Sequence, residues 1–227
     1  MYRILHTVDL PPAPVKRRYD AAGRRSRAEQ ARARVLEVAR RLFLADGYVA
    51  TTMASIAAEA GVSVESVYKT HGSKARLALA LFHQAIAGQD AEPAEARADR
   101  LSAEEDDPVR RLRGFGALVG EVTPRVAPLM LLVRTAAAGD AELADVWEQM
   151  LAERLDRMAG HARRLVEDGH LRAGITFEEA RDVFWLYSAP EVYELMVERR
   201  GWSPERFGAW VGETYVATLL RTPSGSA

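Results

Sequence analysis

Residues 51–77 read TTMASIAAEAGVSVESVYKTHGSKARL, and they hold three helix starts and two helix stops. Thr51 or Thr52, Ser63 and Ser73 each precede a short apolar-periodic run, where a hydroxyl can accept from the free N–H groups of a helix's first turn. Gly61 and Gly72 follow such runs, where a residue at positive φ closes a helix. The spacing predicts short helices over 53–60 and 64–70, with Ile56, Ala57, Ala60 and Val67 turned inward. A further helix starts at Ser73 and runs through Leu77, Leu81 and Ile86 to about Gly88. Upstream, Ala31, Val35, Val38, Ala39, Leu42 and Phe43 recur at steps of three and four, so a helix is expected from a Ser26 cap to a Gly47 stop.

Three helices with a glycine turn between the second and third describe a helix-turn-helix. In that motif a short helix must stand proud of the body, so that its side chains reach base edges in the major groove. Here Val64, Glu65, Ser66 and Lys69 fall on the groove side, with Ser63 at the helix mouth. The helix has no Arg, Asn or Gln, the usual bidentate readers. Lys69 can read guanine, Glu65 can accept from cytosine N4, and Val64 can touch a thymine methyl. Glu65 can equally serve only to cap the helix or to repel non-specific DNA. Thr52, at the N-terminus of the bracing helix, is placed to bond a phosphate.

Outward from this core the charge is uneven. Residues 1–85 carry 14 Lys and Arg against 7 Asp and Glu, and residues 86–227 carry 17 against 25. A basic front suits a polyanion. Residues 1–25, broken by Pro11, Pro12 and Pro14, read as a basic arm; Arg24 and Arg25 are candidates for a phosphate or minor-groove contact, with a solvated arm as the plainer reading. The stretch 89–107 is polar and acidic and reads as a connector or a helix start, not as core. Beyond it the pattern is helical: about 108–121, about 124–138, a long helix from the Asp140 cap to Gly169, one from the Thr176 cap that Pro190 must kink or restart, and a last one from Ser203 and Pro204. The fold class is all-α, with roughly nine helices. Four segments are expected: the arm 1–25, a DNA-binding domain 26–73, a helical effector-binding and dimerisation domain 74–222, and a tail 223–227.

The run from Val35 to Leu77 resembles the DNA-binding region of the TetR family of transcriptional regulators. Val35-Leu36, Val38-Ala39, Leu42-Phe43, Gly47-Tyr48, Thr51-Thr52, Ile56-Ala57, Ala60-Gly61-Val62-Ser63, Val67-Tyr68, Ser73-Lys74 and Leu77 carry the match, in order and without a gap. The resemblance implies phosphate anchors at Tyr68 and Lys74, a two-fold homodimer on a pseudo-palindromic double-stranded DNA operator, and a small-molecule effector bound in the larger domain. Two positions depart from the family: His71 stands for an aromatic Phe, and Ala75 for an acidic residue. His71 can pack in the Phe volume or donate to a phosphate, and both readings stay open.

For the effector pocket the candidates are Met130, Arg134, Trp147, Met150, Phe184, Trp185 and Tyr187, since thioethers and amphipathic rings suit varied apolar ligands; Glu191 is a further polar candidate. Ordinary core is the plainer reading of each. The family places the dimer contact on the last two helices, where Tyr193, Trp202, Trp210, Val211, Thr214 and Thr218 are the candidates.

Other function classes find little support. The sequence has no cysteine and no asparagine, which excludes disulfides, thiolate metal sites and N-glycosylation. Met1 to Leu10 lacks a signal peptide's apolar run, and no long apolar stretch suggests a membrane span, so a cytoplasmic location is expected. Gly114-Phe-Gly116-Ala-Leu-Val-Gly120 lacks the strand and spacing of a dinucleotide loop and reads as close helix packing. His161, Glu167, Asp168 and His170 cluster in sequence but read as a solvated helix end rather than metal ligands. No cofactor or catalytic grouping is found. The expected function is a sequence-specific repressor released by an effector; a helical interaction protein or enzyme that keeps a helix-turn-helix shape is the alternative.

Overall fold

The computed structural model describes residues 21–88 and 90–221. The expected arm up to residue 20 and the tail from residue 222 lie outside the described residues, as does the side chain of Arg24. The described residues form ten α-helices: α1 Ala21–Asp46, α2 Met53–Ala60, α3 Val64–His71, α4 Lys74–Ala87, α5 Ala94–Glu104, α6 Pro108–Ala137, α7 Ala141–Glu167, α8 Phe177–Tyr187, α9 Pro190–Tyr193 and α10 Pro204–Leu219. A π-helical turn, Glu194–Arg199, continues α9. The one β-type pairing among them is an isolated bridge between Leu171 and Leu220. The fold class is all-α, as the sequence implies.

Side-chain caps set most of the helix starts. Thr52 and Ser55 exchange hydrogen bonds in a capping box, with Ser55 N–H donating to Thr52 Oγ1 at 3.0 Å and Thr52 N–H to Ser55 Oγ at 3.1 Å. Ser63, Ser73, Asp140, Thr176 and Ser203 each accept from a backbone N–H of the first turn of α3, α4, α7, α8 and α10. Gly61 and Gly72, at φ +69° and +77°, end α2 and α3.

Three expectations are corrected. α1 begins by Ala21 and runs through Ser26, so Ser26 caps nothing. The connector 89–107 contains α5, which rests on the body through buried Ala94 and Ala98. The helices expected on either side of Pro124 are one helix, α6, with Pro124 and Pro128 inside it. Proline removes one hydrogen bond per occurrence, but α6 is central and is held on several sides, by α4, α5, α7 and α10. By length and composition α6 could cross a membrane; here it is the central helix of the bundle.

The crossing of α6 with α10 explains the glycines of α6. Gly116 and Gly120 lie against Gly208 and Gly212 of α10. A Cβ on Gly208 would stand 2.7 Å from Gly116 O, and one on Gly120 would stand 2.7 Å from Pro204 O. No side chain fits between the two backbones.

One apolar cluster runs from Val35, Phe43, Ile56 and Val67 through Leu77, Leu81 and Phe82 to Met130, Leu143 and Met150. The core therefore does not break at residue 73: α4 is shared by the N-terminal head and the body. A second cluster joins Phe115, Leu165, Phe184, Phe207, Val211 and Tyr215 farther from the head.

Candidate nucleic-acid interface and internal cavity

α3 is held by two side chains. Val67 and His71 are buried, while Val64, Glu65, Ser66, Tyr68, Lys69 and Thr70 are all exposed. Val64 and Tyr68 are 39% and 49% exposed, high for an apolar and an aromatic side chain. A helix that turns so many side chains to solvent from so small a footing is shaped to enter a groove. Thr52 and Ser63 are exposed at the N-termini of α2 and α3, and Arg25, Arg27, Arg32 and Arg34 are exposed along α1.

His71 packs under α3. Its imidazole is pushed below its usual pKa by burial and, secondarily, by Arg32, and its Nε2 has no protein partner. Geometry thus places it in the core. Lys74 is also drawn inward. Its Nζ donates to Tyr48 O at 2.9 Å and Thr51 O at 3.0 Å and lies 4.1 Å from the centre of the Tyr48 ring. Burial lowers its pKa. Its ammonium ties the turn between α1 and α2 to the start of α4 with two of its three N–H donors, which leaves one for the phosphate expected of it.

The same corner meets the body. Tyr48 OH donates to Asp140 Oδ2 at 3.3 Å, and Ser73 Oγ donates to Glu142 Oε1 at 2.5 Å. Burial first, and then Asp140, push the Tyr48 phenol well above its usual pKa. The α6–α7 junction thus touches both the turn before α2 and the cap of α4.

A cavity of about 910 Å³ opens inside the body, within the range of small-molecule sites. α4 supplies Phe82 and Ile86, α6 supplies Phe115, Val119, Val126 and Met130, α7 supplies Arg154 and His161, and Phe184 and Tyr215 come from α8 and α10. His161 lies 4.2 Å from the Phe115 ring centre, and burial holds its pKa at about 4, so the imidazole is neutral.

Of the residues expected in a pocket, Met130 and Phe184 line it. Trp147 and Met150 pack instead into the cluster shared with the head. Arg134 pairs with Glu191 at 2.6 Å on the surface. Trp185 lies beneath the Arg154 guanidinium, 5.2 Å away, and Tyr187 packs on Trp210. Chemical kind selected these five, and chemical kind does not say which helix face meets the void. Sequence reasoning missed Arg154, and set aside His161 as part of a helix end. The available signal is their phase on α7: Met150, Arg154, Met158, His161 and Leu165 follow one another at steps of three and four, which puts two polar groups on the inward stripe.

Of the residues expected at a dimer contact, Val211 and Tyr193 are buried within this chain's own core, Tyr193 against Phe207 at 5.5 Å. Trp202 and Trp210 are half-buried and stack edge-to-face at 5.7 Å. Thr214 and Thr218 are half-buried on the outer side of α10. Among the described residues no group of three or more His, Asp or Glu could hold a metal ion.

Residues 35–81 match the model of the bacterial regulatory proteins of the tetR family. No curated protein matches the chain. Among solved structures, SmeT in complex with triclosan is similar at 22% identity, over 87% of this chain and 97% of that one, with a TM-score of 0.66. NalD, the secondary repressor of the MexAB-OprM multidrug efflux pump in Pseudomonas aeruginosa, is similar at 21% identity, over 87% of this chain and 100% of that one, with a TM-score of 0.66. FadR of Bacillus subtilis, in complex with stearoyl-CoA, is similar at 16% identity, over 82% of this chain and 97% of that one, with a TM-score of 0.65. These likenesses establish a shared fold.

Proposed function

We infer that this chain, which over residues 35–81 is a tetR-family sequence, is a DNA-binding transcriptional regulator, a repressor that a small molecule releases from its operator. The observation that carries the reading is α3, anchored by Val67 and His71 and otherwise presented to solvent. Tyr68 and the N-termini of α2 and α3, capped by Thr52 and Ser63, supply phosphate contacts, which position the protein; Lys69, Glu65 and Val64 supply base contacts, which specify. Such a protein acts where the DNA is, in the cytoplasm.

α4 supports a route from effector to operator. Its first turn is tied to the head through Lys74 and to α7 through the Ser73 cap, and its last turns line the cavity through Phe82, His83 and Ile86. Arg125 of α6 donates to Ala85 O at 3.0 Å and fixes the far end of α4. A ligand that wedges between α4 and α6 moves this lever. It shifts the equilibrium only as far as it binds the released state more tightly. SmeT and FadR were solved with small molecules bound, which supports an effector in this fold.

The test is binding of the purified chain to DNA from upstream of its own coding sequence, followed by fluorescence anisotropy. Specific binding is expected, with Lys69→Ala and Glu65→Ala each relaxing base preference at one or two positions per half-site, by roughly 1–3 kcal/mol where the contact is direct. Equal affinity for this DNA and for random sequence would overturn the regulator reading and favour an interaction protein.

A further inference from the structure

The charged groups around the cavity differ in whether they are paired. Its carboxylates, Glu95, Asp99, Glu153, Asp156 and Glu167, stand at the rim. Three of these are already engaged: Arg157 spans Glu95 at 2.9 Å and Asp99 at 2.8 Å, and His83 bonds Glu153 at 2.8 Å. Of the half-buried arginines in its lining, Arg157 and Arg164 are paired with carboxylates and Arg154 is not.

Arg154 is incompletely met by the protein. Its Nη2 donates to Trp185 O at 2.8 Å and, at 3.4 Å, to Ser188 Oγ. These bonds hold the guanidinium at the end of α8 and fix its plane over the Trp185 ring. Among the described residues, Nε and Nη1 have no acceptor and no carboxylate lies within ion-pair distance. Glu191, which acts on it from farther away, is engaged by Arg134 at 2.6 Å. Burial lowers the guanidinium to about 10, so it remains a cation at neutral pH. The side chain is half-buried with no carboxylate beside it, and an anion that enters gains charge-assisted bonds in a partly desolvated site. Nε–H and the Nη1 donors, on opposite sides of the fork, can each give one charge-assisted bond to a carboxylate oxygen.

The wall along α6 is largely apolar. Phe115, Leu118, Val119, Val122, Val126 and Met130 form a strip along α6. His161 is neutral, and Thr123 Oγ1 donates to Val119 O at 2.6 Å; neither adds a charge.

We propose that the cavity binds an apolar monocarboxylate, with its acid group on Arg154 and its hydrocarbon part along α6. A cationic amphiphile finds no buried carboxylate to meet it, and a neutral ligand leaves the Arg154 donors unmet. The word effector rests on the regulator reading above; the binding itself does not.

The test compares dodecanoate with dodecan-1-ol by calorimetry on the full chain at pH 7.5, below the micellar range and without DNA. The acid is expected to bind about ten- to hundred-fold more tightly than the alcohol, the scale of a hydrogen bond to a charged group. Arg154→Gln should bring the two to parity, Arg154→Lys should keep part of the preference, and Arg157→Gln at the rim should keep all of it. Parity in the parent chain, tighter binding of the alcohol, a preference that follows Arg157, or no binding of either probe would overturn the proposal. The parent comparison needs no variant to fold. Loss of specific DNA binding with the acid preference intact would overturn the regulator reading alone, and the reverse result would overturn the ligand class alone.

Discussion

Tyr68 and Lys74 look equivalent in sequence, and the structure separates them. Tyr68 is exposed on α3, its hydroxyl without a partner among the described residues, whereas the Lys74 ammonium gives two of its three donors to Tyr48 O and Thr51 O. Tyr68→Phe is therefore expected to weaken binding to all DNA sequences with no change in thermal midpoint. Lys74→Met keeps the aliphatic stem and removes the charge. It should destabilise the fold by about 1–3 kcal/mol, since it strands two carbonyl acceptors, and should leave the salt slope of DNA binding unchanged. Melting curves and binding isotherms at several salt concentrations check both; a salt slope lowered by about one unit in Lys74→Met would restore it as a phosphate anchor. His161 makes a second separation. Its folded pKa of about 4 lies below the free value near 6.5. Between those values the unfolded chain binds the extra proton, so stability is full above about pH 6.5 and is lost as pH falls towards 4. The loss is on the order of 3 kcal/mol; urea midpoints at pH 7.5 and pH 5 should differ, and His161→Phe should remove much of that difference. The caps were legible because a cap is a local hydrogen bond between residues two or three apart. The partners of Lys74 and His161 lie 23 to 46 positions away in sequence, and no local pattern contains them.

At the scale of elements, α6 and α10 are joined through their glycines. The sequence shows Gly116 and Gly120 as a close-packing surface, but not that Gly208 and Gly212 are its counterpart, because pairing of two distant stripes is a tertiary fact. Opposite outcomes follow for one substitution. Gly208→Ala places a Cβ 2.7 Å from Gly116 O, so the two backbones must part; overpacking of this kind costs about 1–3 kcal/mol or more. Gly160→Ala, inside α7 with nothing within 4 Å of the new Cβ, should stabilise by about 0.5–1 kcal/mol. Denaturant unfolding of the pair distinguishes a steric effect from a general preference for glycine. The prolines of α6 give the complementary lesson. Pro124 and Pro128 predict a break, and packing on four neighbouring helices holds the helix through them. α5 escapes the sequence because two alanines, Ala94 and Ala98, make its buried face, too slight an apolar stripe to stand out from a charged stretch.

For the whole molecule, the open step is assembly. One α3 offers few base contacts, so a tight specific site requires two of them on a pseudo-palindrome, and a two-fold dimer supplies that symmetry. The proposed contact is the outer side of α8 and α10. Val183, Tyr187, Trp210, Thr214 and Thr218 are half-buried there, and Leu186 is 51% exposed. Trp210 is a poor probe, because it also packs on Tyr187, Trp202 and Phe207, so its loss would disturb the single chain. Leu186 and Thr218 are better. Leu186→Glu and Thr218→Glu add charge to the outer face and leave the second core cluster intact. At micromolar concentration the parent should sediment as a dimer, and the double variant as a folded monomer with an unchanged helical spectrum. The monomer should lose specific operator binding by far more than either α3 variant, since it loses a whole half-site rather than one contact, while its preference for dodecanoate over dodecan-1-ol stays, because the cavity is lined within one chain. A double variant that remains dimeric would move the interface to another face, and a parent that sediments as a monomer both free and on DNA would remove the two-fold reading of the operator altogether.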